Sequence, residues 1–399
     1  MSERKNILFV AGVKNYNIFN RMSAIDSILC SILLELNQHH NIFVNGRSLD
    51  ELEAEFKAAQ QSAGGVTALS GGGGIKKFIP TKLKEGIKDR RIFKANDILI
   101  GQLKKMPKPD LVMELMKYGS DVGHRIAEHF NVPFIAYFDA PCTVQFKELF
   151  GFNPVYNKRI SGNEIRTLEK ADRVIAYSQP VRDYWVKQSG NINPDKFNVF
   201  QTLDYSRLTS TDQKQYNSVP NIGFIGTFMK WHRVDMLVDV FVKLRNEGSN
   251  ANLFLVGAGE EYQNILSKID DSGYKDSITT TGFIDGNQLQ EYKKQIDIGI
   301  MPSSNWYGIP TKVFEYGACQ IASVAPATPT INDIFTHNEN ILLFENHSFD
   351  GLYNSIKSLV DDQDLLERVA GNLHQKITTE YRTDVAVDFY LKLIKETLQ

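Results

Sequence analysis

A strand-then-helix alternation that runs along the chain, halts at a polar stretch and starts again constrains the fold more than any other feature of this sequence. Residues 7–10 form a short apolar run, 24–36 carry apolar residues at helical spacing, and 40–44 read as a second strand. The pattern predicts further strands at 97–100, 111–114, 133–138, 173–177 and 197–201, with helices near 121–130, 162–170 and 180–188. Such alternation builds a parallel sheet covered on both faces. Residues 205–220 are rich in Ser, Thr, Asp, Gln and Asn and read as a linker. Beyond them, strands at 221–225, 252–256, 278–281, 296–301 and 321–324 alternate with helices at 235–246, 261–270, 287–294 and 311–318. The expectation is α/β architecture with two doubly wound parallel-sheet domains, 1–204 and 221–382. A length of 399 residues fits this, because single cores stop growing near ~250–300 residues.

Composition excludes several classes. Lys and Arg total 45 and Asp and Glu 47, so the chain has no global basic footprint for nucleic acid. Its three cysteines, Cys30, Cys142 and Cys319, are far apart and form no CxxC pair, which argues against a zinc site or a disulfide framework. No segment approaches ~18 consecutive apolar residues, and the run after Lys5 is too short for a signal peptide. The expected location is the cytoplasm, with peripheral attachment to the inner membrane face left open. That option comes from residues 75–94, which carry eight cations against Glu85 and Asp89, with Ile75, Ile79, Leu83 and Ile87 at every fourth position. Two readings of this segment stand: a solvated helix whose apolar side enters the core, or a basic amphipathic surface for anionic lipid or a diphosphate-bearing acceptor. Pro80 and Gly86 weaken a continuous helix.

Open parallel sheets bind ligands at the carboxyl ends of their strands, so the loops there hold the candidate chemistry. After the strand at 221–225, Gly226 permits close backbone approach and Thr227 offers a hydroxyl. Lys230, His232 and Arg233 add cations just before a helix, a combination suited to a diphosphate. Gly257 and Gly259 follow the next strand but lack the third glycine of GxGxxG. Thr281-Gly-Phe-Ile-Asp285 places Phe283 and Ile284 where a flat base is clamped. The longest such string runs from Met301 to Ala318. It combines Gly308, Pro310 at a helix start, and Lys312 and Glu315 three residues apart on one helical face. Glu315 can accept two hydrogen bonds from vicinal hydroxyls such as those of a ribose, and Lys312 can balance phosphate charge.

These strings, in this order, resemble the family-4-type retaining glycosyltransferases of the GT-B fold. The first half adds Pro109–Glu114, Val132–Pro141, Ala171–Ser178 and Gln201–Asp204, so the resemblance spans nearly the whole chain. It implies two Rossmann-like domains facing across a cleft, the N-terminal one for the acceptor and the C-terminal one for a nucleotide-diphosphate sugar. A last helix within 383–398 would return to the first domain. It also implies transfer with retention and no obligatory metal or other cofactor. The acceptor would be a glycan or a lipid-linked glycan, and surface polysaccharide synthesis the setting. Carried over by position, Glu315 binds the ribose. Thr227, His232 and Arg233, with Lys312, lie near the diphosphate. Phe283 and Ile284 border the base, and Gly308, Ile309, Pro310 and Thr311 the sugar and phosphate. Asp139 takes the loop where many members place a histidine or asparagine near the transferred sugar. The sequence departs from the family at three places. Tyr307 stands where the first of two paired glutamates is usual, Thr227 follows the glycine where arginine is usual, and Gln201-Thr-Leu-Asp204 replaces Asn-Gly-Val-Asp. Alternative readings are a noncatalytic GT-B partner of an active transferase, a sugar-nucleotide epimerase, and a nicotinamide-dependent oxidoreductase, which lacks its complete glycine motif.

Overall fold

Residues 3–11, 16–20, 24–62, 80–190, 192–201, 214–284 and 286–399 are described by a computed structural model. The chain divides into two units, residues 1–203 together with 384–399, and residues 204–383. Each is built on a mainly parallel sheet.

In the first unit the strands are β1 (Asn6–Val10), β2 (Asn41–Val44), β3 (Arg47–Ser48), β4 (Leu111–Leu115), β5 (Phe134–Phe138), β6 (Arg173–Ala176) and β7 (Phe197–Val199). They lie in the order β3-β2-β1-β4-β5-β6-β7, all parallel except β3. Ile7 through Val10 are all buried, as a parallel strand with helices on both faces requires. The helices are α1 (Ala24–His39), α2 (Leu49–Ser62), α3 (Thr81–Leu103), α4 (Val122–Phe130), α5 (Cys142–Phe150), α6 (Asn157–Lys170) and α7 (Gln179–Ser189).

The second unit has β8 (Asn221–Ile225), β9 (Asn252–Val256), β10 (Ile278–Thr280), β11 (Ile298–Ile300), β12 (Ala322–Pro326) and β13 (Leu342–Phe344). Their order is β10-β9-β8-β11-β12-β13, entirely parallel, so the direction of winding reverses between β8 and β11. Helices α8 (Val234–Asn246), α9 (Tyr262–Asp270), α10 (Gly286–Gln295), α11 (Thr311–Ala318), α12 (Pro329–Ile334), α13 (Phe349–Asp361) and α14 (Gln363–Glu380) cover it. The final helix, α15 (Thr383–Thr397), belongs almost wholly to the first unit.

Two sequence expectations are corrected here. The strand expected at 97–100 is the last part of α3. Ile98-Leu99-Ile100 has strand composition, but Asn96, Leu99, Ile100 and Leu103 continue the buried stripe of a helix at i, i+3, i+4 and i+7. Of the apolar residues at every fourth position in the basic segment, the two that are described, Leu83 and Ile87, do not enter the core. Residues 75–79 and most of the 205–220 stretch fall outside the described residues, but Leu83 is 58% and Ile87 40% exposed. The buried face of α3 is instead Glu85, Gly86, Asp89 and Phe93. Pro80 precedes the first turn and Gly86 lies against Val155, so neither interrupts the helix.

Inside the first unit two carboxyls are held in unfavourable surroundings. Burial pushes Glu114, at the end of β4, up to about 7 against hydrogen bonds from Ser120 and the Gly123 amide. Burial does the same to Glu164, which accepts from the Thr143 amide and hydroxyl. A carboxyl whose pKa is raised in the folded state binds its proton more tightly there. Its contribution to stability is complete below the unfolded value near 4.5 and is lost as pH rises through about 7. Glu114→Gln is therefore expected to flatten the decline in melting temperature between pH 5 and 8, as read by calorimetry.

Candidate functional site

The reversal of winding between β8 and β11 opens a crevice at their carboxyl ends. The chain's glycines shape what lies there. Gly226 follows β8 with φ +146° and Gly257 follows β9 with φ +127°. A Cβ on Gly257 would sit 2.1 Å from the Gly226 carbonyl oxygen, and one on Gly226 would meet Lys312 Cε at 2.8 Å. Gly257 therefore requires glycine on conformation and on space, and Gly226 on conformation. The two loops are zipped by Gly226 N–H to Val256 O (2.9 Å), Phe228 N–H to Ala258 O (3.0 Å) and Glu261 N–H to Phe228 O (3.0 Å). Thr281 Oγ1 accepts from the Gly257 amide at 3.2 Å and ties in the loop after β10.

Into this frame α11 brings its first turn. Pro310 precedes the helix, where its missing N–H costs nothing. Lys312 Nζ lies 3.2 Å from His232 Nε2 and 5.5 Å from the centre of the Phe224 ring. His232 Nδ1 is 2.5 Å from Thr227 O, so Nδ1 carries the proton and donates while Nε2 accepts from the lysine. Burial lowers His232 to about 4, helped by the neighbouring Lys312, and so the ring is neutral at pH 7. Burial also lowers Lys312 to about 8, against the pull of Glu315. The result is one ammonium with little solvent, oriented by a neutral imidazole, beside a backbone turn. Such a group gains from a nearby anion.

One turn further along α11, Glu315 Oε2 is 2.8 Å from Lys293 Nζ. The Lys293 side chain is only 3% exposed, whereas Glu315 is 25% exposed. One carboxylate oxygen is thus committed to a buried lysine. Tyr316, next in sequence, faces the sheet, where its hydroxyl accepts from the Ile225 amide (3.1 Å) and donates to Ile300 O (3.4 Å). This bolts α11 across the ends of β8 and β11.

Thr227, His232, Gly226, Gly257 and Lys312 are therefore drawn together, with Glu315 on the same helix as the lysine. Gly308 sits where a side chain would collide with Asn305 Oδ1 and Ser304 Oγ, and Asn346 Nδ2 straps this loop by donating to Ser304 O at 2.6 Å. Ile309 and Thr311 are partly buried and Pro310 is buried. Tyr307 is fully buried and packs edge-on to Trp306, so its ring fills the interior of the loop. Arg233 points elsewhere. It pairs with Asp235 at 3.0 Å and, with Lys230 and Glu261, lines a hollow of about 360 Å³. Phe283 is 91% exposed while Ile284 packs on the apolar cluster around Tyr316, and Asp285 lies outside the described residues. Asp139, in the first unit, follows β5 and is pushed above the usual carboxylate range by burial, with Lys117 opposing.

Lys293 is the functional neighbour that sequence reading passes over. The signal exists: Leu289, Lys293 and Ile296 fall at i, i+4 and i+7, which puts a lysine on the core-facing stripe of α10.

Known proteins share this architecture. Residues 209–376 match the family model described as glycosyl transferases group 1. The capsular polysaccharide biosynthesis glycosyltransferase CapM of Staphylococcus aureus is 23% identical over 205 residues, covering 49% of this chain and 51% of CapM. The poly(ribitol-phosphate) alpha-N-acetylglucosaminyltransferase of Staphylococcus aureus (strain COL) is 19% identical over 209 residues, 50% of this chain and 40% of the relative. The matches thus span about half the length of these curated relatives. Among solved structures, Anabaena Alr3699/HepE in complex with UDP superposes with a TM-score of 0.69 at 12% identity, covering 98% of this chain and 100% of that one. The fold is that of GT-B glycosyltransferases.

Proposed function

We propose that this chain, whose residues 209–376 match the glycosyl transferases group 1 model, is a retaining hexosyltransferase. In this reading it moves a sugar from a nucleoside-diphosphate sugar to a glycan or lipid-linked acceptor in polysaccharide synthesis. The observation that carries the reading is the half-buried Lys312 ammonium set beside the Gly226–Gly257 turn, one helical turn from the partly open carboxylate of Glu315. A nucleoside diphosphate presents what this arrangement complements: vicinal ribose hydroxyls for Glu315 and phosphate oxygens for Lys312. The exposed Phe283 ring and Ile284 are assigned to the base, and Gly308 to Thr311 to the sugar and phosphate.

Chemically, the bond from the anomeric carbon to the leaving phosphate oxygen breaks through an oxocarbenium-like state. Negative charge grows on the diphosphate, where Lys312 and backbone amides near Thr227 stabilise it. The acceptor hydroxyl oxygen forms the new bond from the face that the phosphate leaves, and its proton passes to a phosphate oxygen. Arg233 would join the diphosphate only by leaving Asp235. Asp139 is assigned to the acceptor side. UDP, the nucleotide held by the Anabaena relative, is the first donor base to try.

Thermal shift with a panel of nucleoside diphosphates and their sugars tests this. One base is expected to give a selective rise in melting temperature that Glu315→Ala abolishes. Absence of any shift would defeat the donor site. The buried Tyr307, standing where a glutamate is usual, keeps a second reading in view, a noncatalytic partner of an active transferase. That reading gains if a nucleotide sugar binds but is never turned over, and a stable complex forms with another protein.

A further inference from the structure

We infer that the outward face of α3 is a docking surface for an anionic lipid bilayer. Leu83, Ile87, Arg90, Arg91, Lys94 and Ile98 are all exposed and recur at three- and four-residue steps, so they share one side of the helix over about four turns. Of the three acids in this helix only Asp97 is exposed, and it is paired with Arg125. Glu85 and Asp89 are buried on the opposite side, and Glu85 is paired with Lys88. Lys82, Lys84, Arg91 and Lys94 form no ion pair among the described residues. A soluble helix normally turns its apolar stripe inward. Here a Leu–Ile–Ile stripe faces solvent, flanked by unneutralised cations.

Exposed apolar side chains also stand beside the buried side of α3. Val155, itself exposed, rests against Gly86. Phe150, at the end of α5, packs on Phe146, which stacks on Tyr118, whose hydroxyl donates to Asp89 of α3. Charge selects among occupants. A second copy of this face would set cations against cations, and a polyanion such as nucleic acid offers nothing to the aliphatic stripe. A bilayer with anionic headgroups satisfies both, its acyl boundary taking Leu83 and Ile87 while the long basic side chains reach up to phosphate.

The test uses the full chain in sedimentation with vesicles of phosphatidylcholine alone or with one-third phosphatidylglycerol. Binding is expected to the anionic vesicles, to weaken with salt, and to be absent on the neutral ones. Each cation removed costs roughly fivefold in partitioning, so Arg91→Gln with Lys94→Gln is expected to lower it about 25-fold. Leu83→Ser with Ile87→Ser, equally exposed and so without effect on folding, is expected to lower it about tenfold. Nucleotide binding by the C-terminal unit is expected to be unchanged in both pairs, which separates this inference from the proposed reaction. Equal binding to both vesicles, binding to neither, insensitivity to either pair, or capture of an oligonucleotide in place of vesicles would overturn it. So would a change in oligomeric state as the only effect of the substitutions.

Discussion

Glu315→Gln is expected to weaken nucleoside-diphosphate binding ten- to hundredfold and, separately, to destabilise the second unit. The two effects have different origins. The carboxylate is assigned two hydrogen bonds from ribose hydroxyls, and bonds to a charged acceptor contribute about 1.5–3 kcal/mol. The same carboxylate neutralises Lys293, which has almost no exposure to water. Removing the charge strands an ammonium inside the fold, a defect of about 3 kcal/mol, or about 6–12 °C in melting temperature for a unit of this size. A second substitution resolves them. Lys293→Met removes the stranded charge and keeps the volume, so the double variant is expected to recover most of the lost stability. It is not expected to recover affinity, because the ribose acceptor is still absent. Calorimetry for stability and isothermal titration for binding give the two numbers. If affinity returns together with stability, Glu315 serves the fold and the ribose assignment is wrong.

The Lys293–Glu315 pair also marks the limit of what sequence alone discloses. The double α/β rhythm was legible because strands such as Ile222–Ile225 are continuous apolar runs, and their burial on both faces leaves no other solution. The loops that hold the candidate site were legible for a related reason. Gly226, Gly257 and Gly308 follow strands where a side chain would collide, so their positions announce close approach. The pairing of Lys312 with His232, 80 residues apart, was not legible, because it depends on how far α11 reaches across the sheet ends. Nor was the burial of Tyr307. Its position fits a ligand contact by counting, and only the packing against Trp306 turns it inward. Periodicity left α3 open, because apolar residues at every fourth position fit either a core face or a basic amphipathic surface. The buried side was filled by a glycine, two acids and Phe93, held by contacts with Val155 and Tyr118 that no local pattern encodes.

Lys312 supplies the second large effect, and its sign is set by burial. Its pKa, lowered to about 8, means the apoprotein begins to lose this ammonium just above neutrality. A diphosphate beside it favours the charged form, so binding raises that pKa and, above pH 8, takes up a proton. Affinity is therefore expected to be flat below about pH 7 and to fall as pH rises through 8, approaching tenfold per unit until the pKa of the bound state is reached. Lys312→Met is expected to bind ten- to hundredfold more weakly at pH 7, the loss of one charge-assisted contact. It is also expected to show no fall between pH 7 and 9. Stability should move the other way. The folded value lies below the unfolded one near 10.5, so the protein at pH 7 carries a half-buried charge that favours the unfolded chain. Removing it leaves the melting temperature unchanged or higher. His232 does not supply the same pH dependence, because its own value near 4 keeps it neutral across this range. A variant that binds as tightly as the parent, or that keeps the fall above pH 8, would remove Lys312 from the diphosphate site and leave the backbone amides near Thr227 as its only anchor.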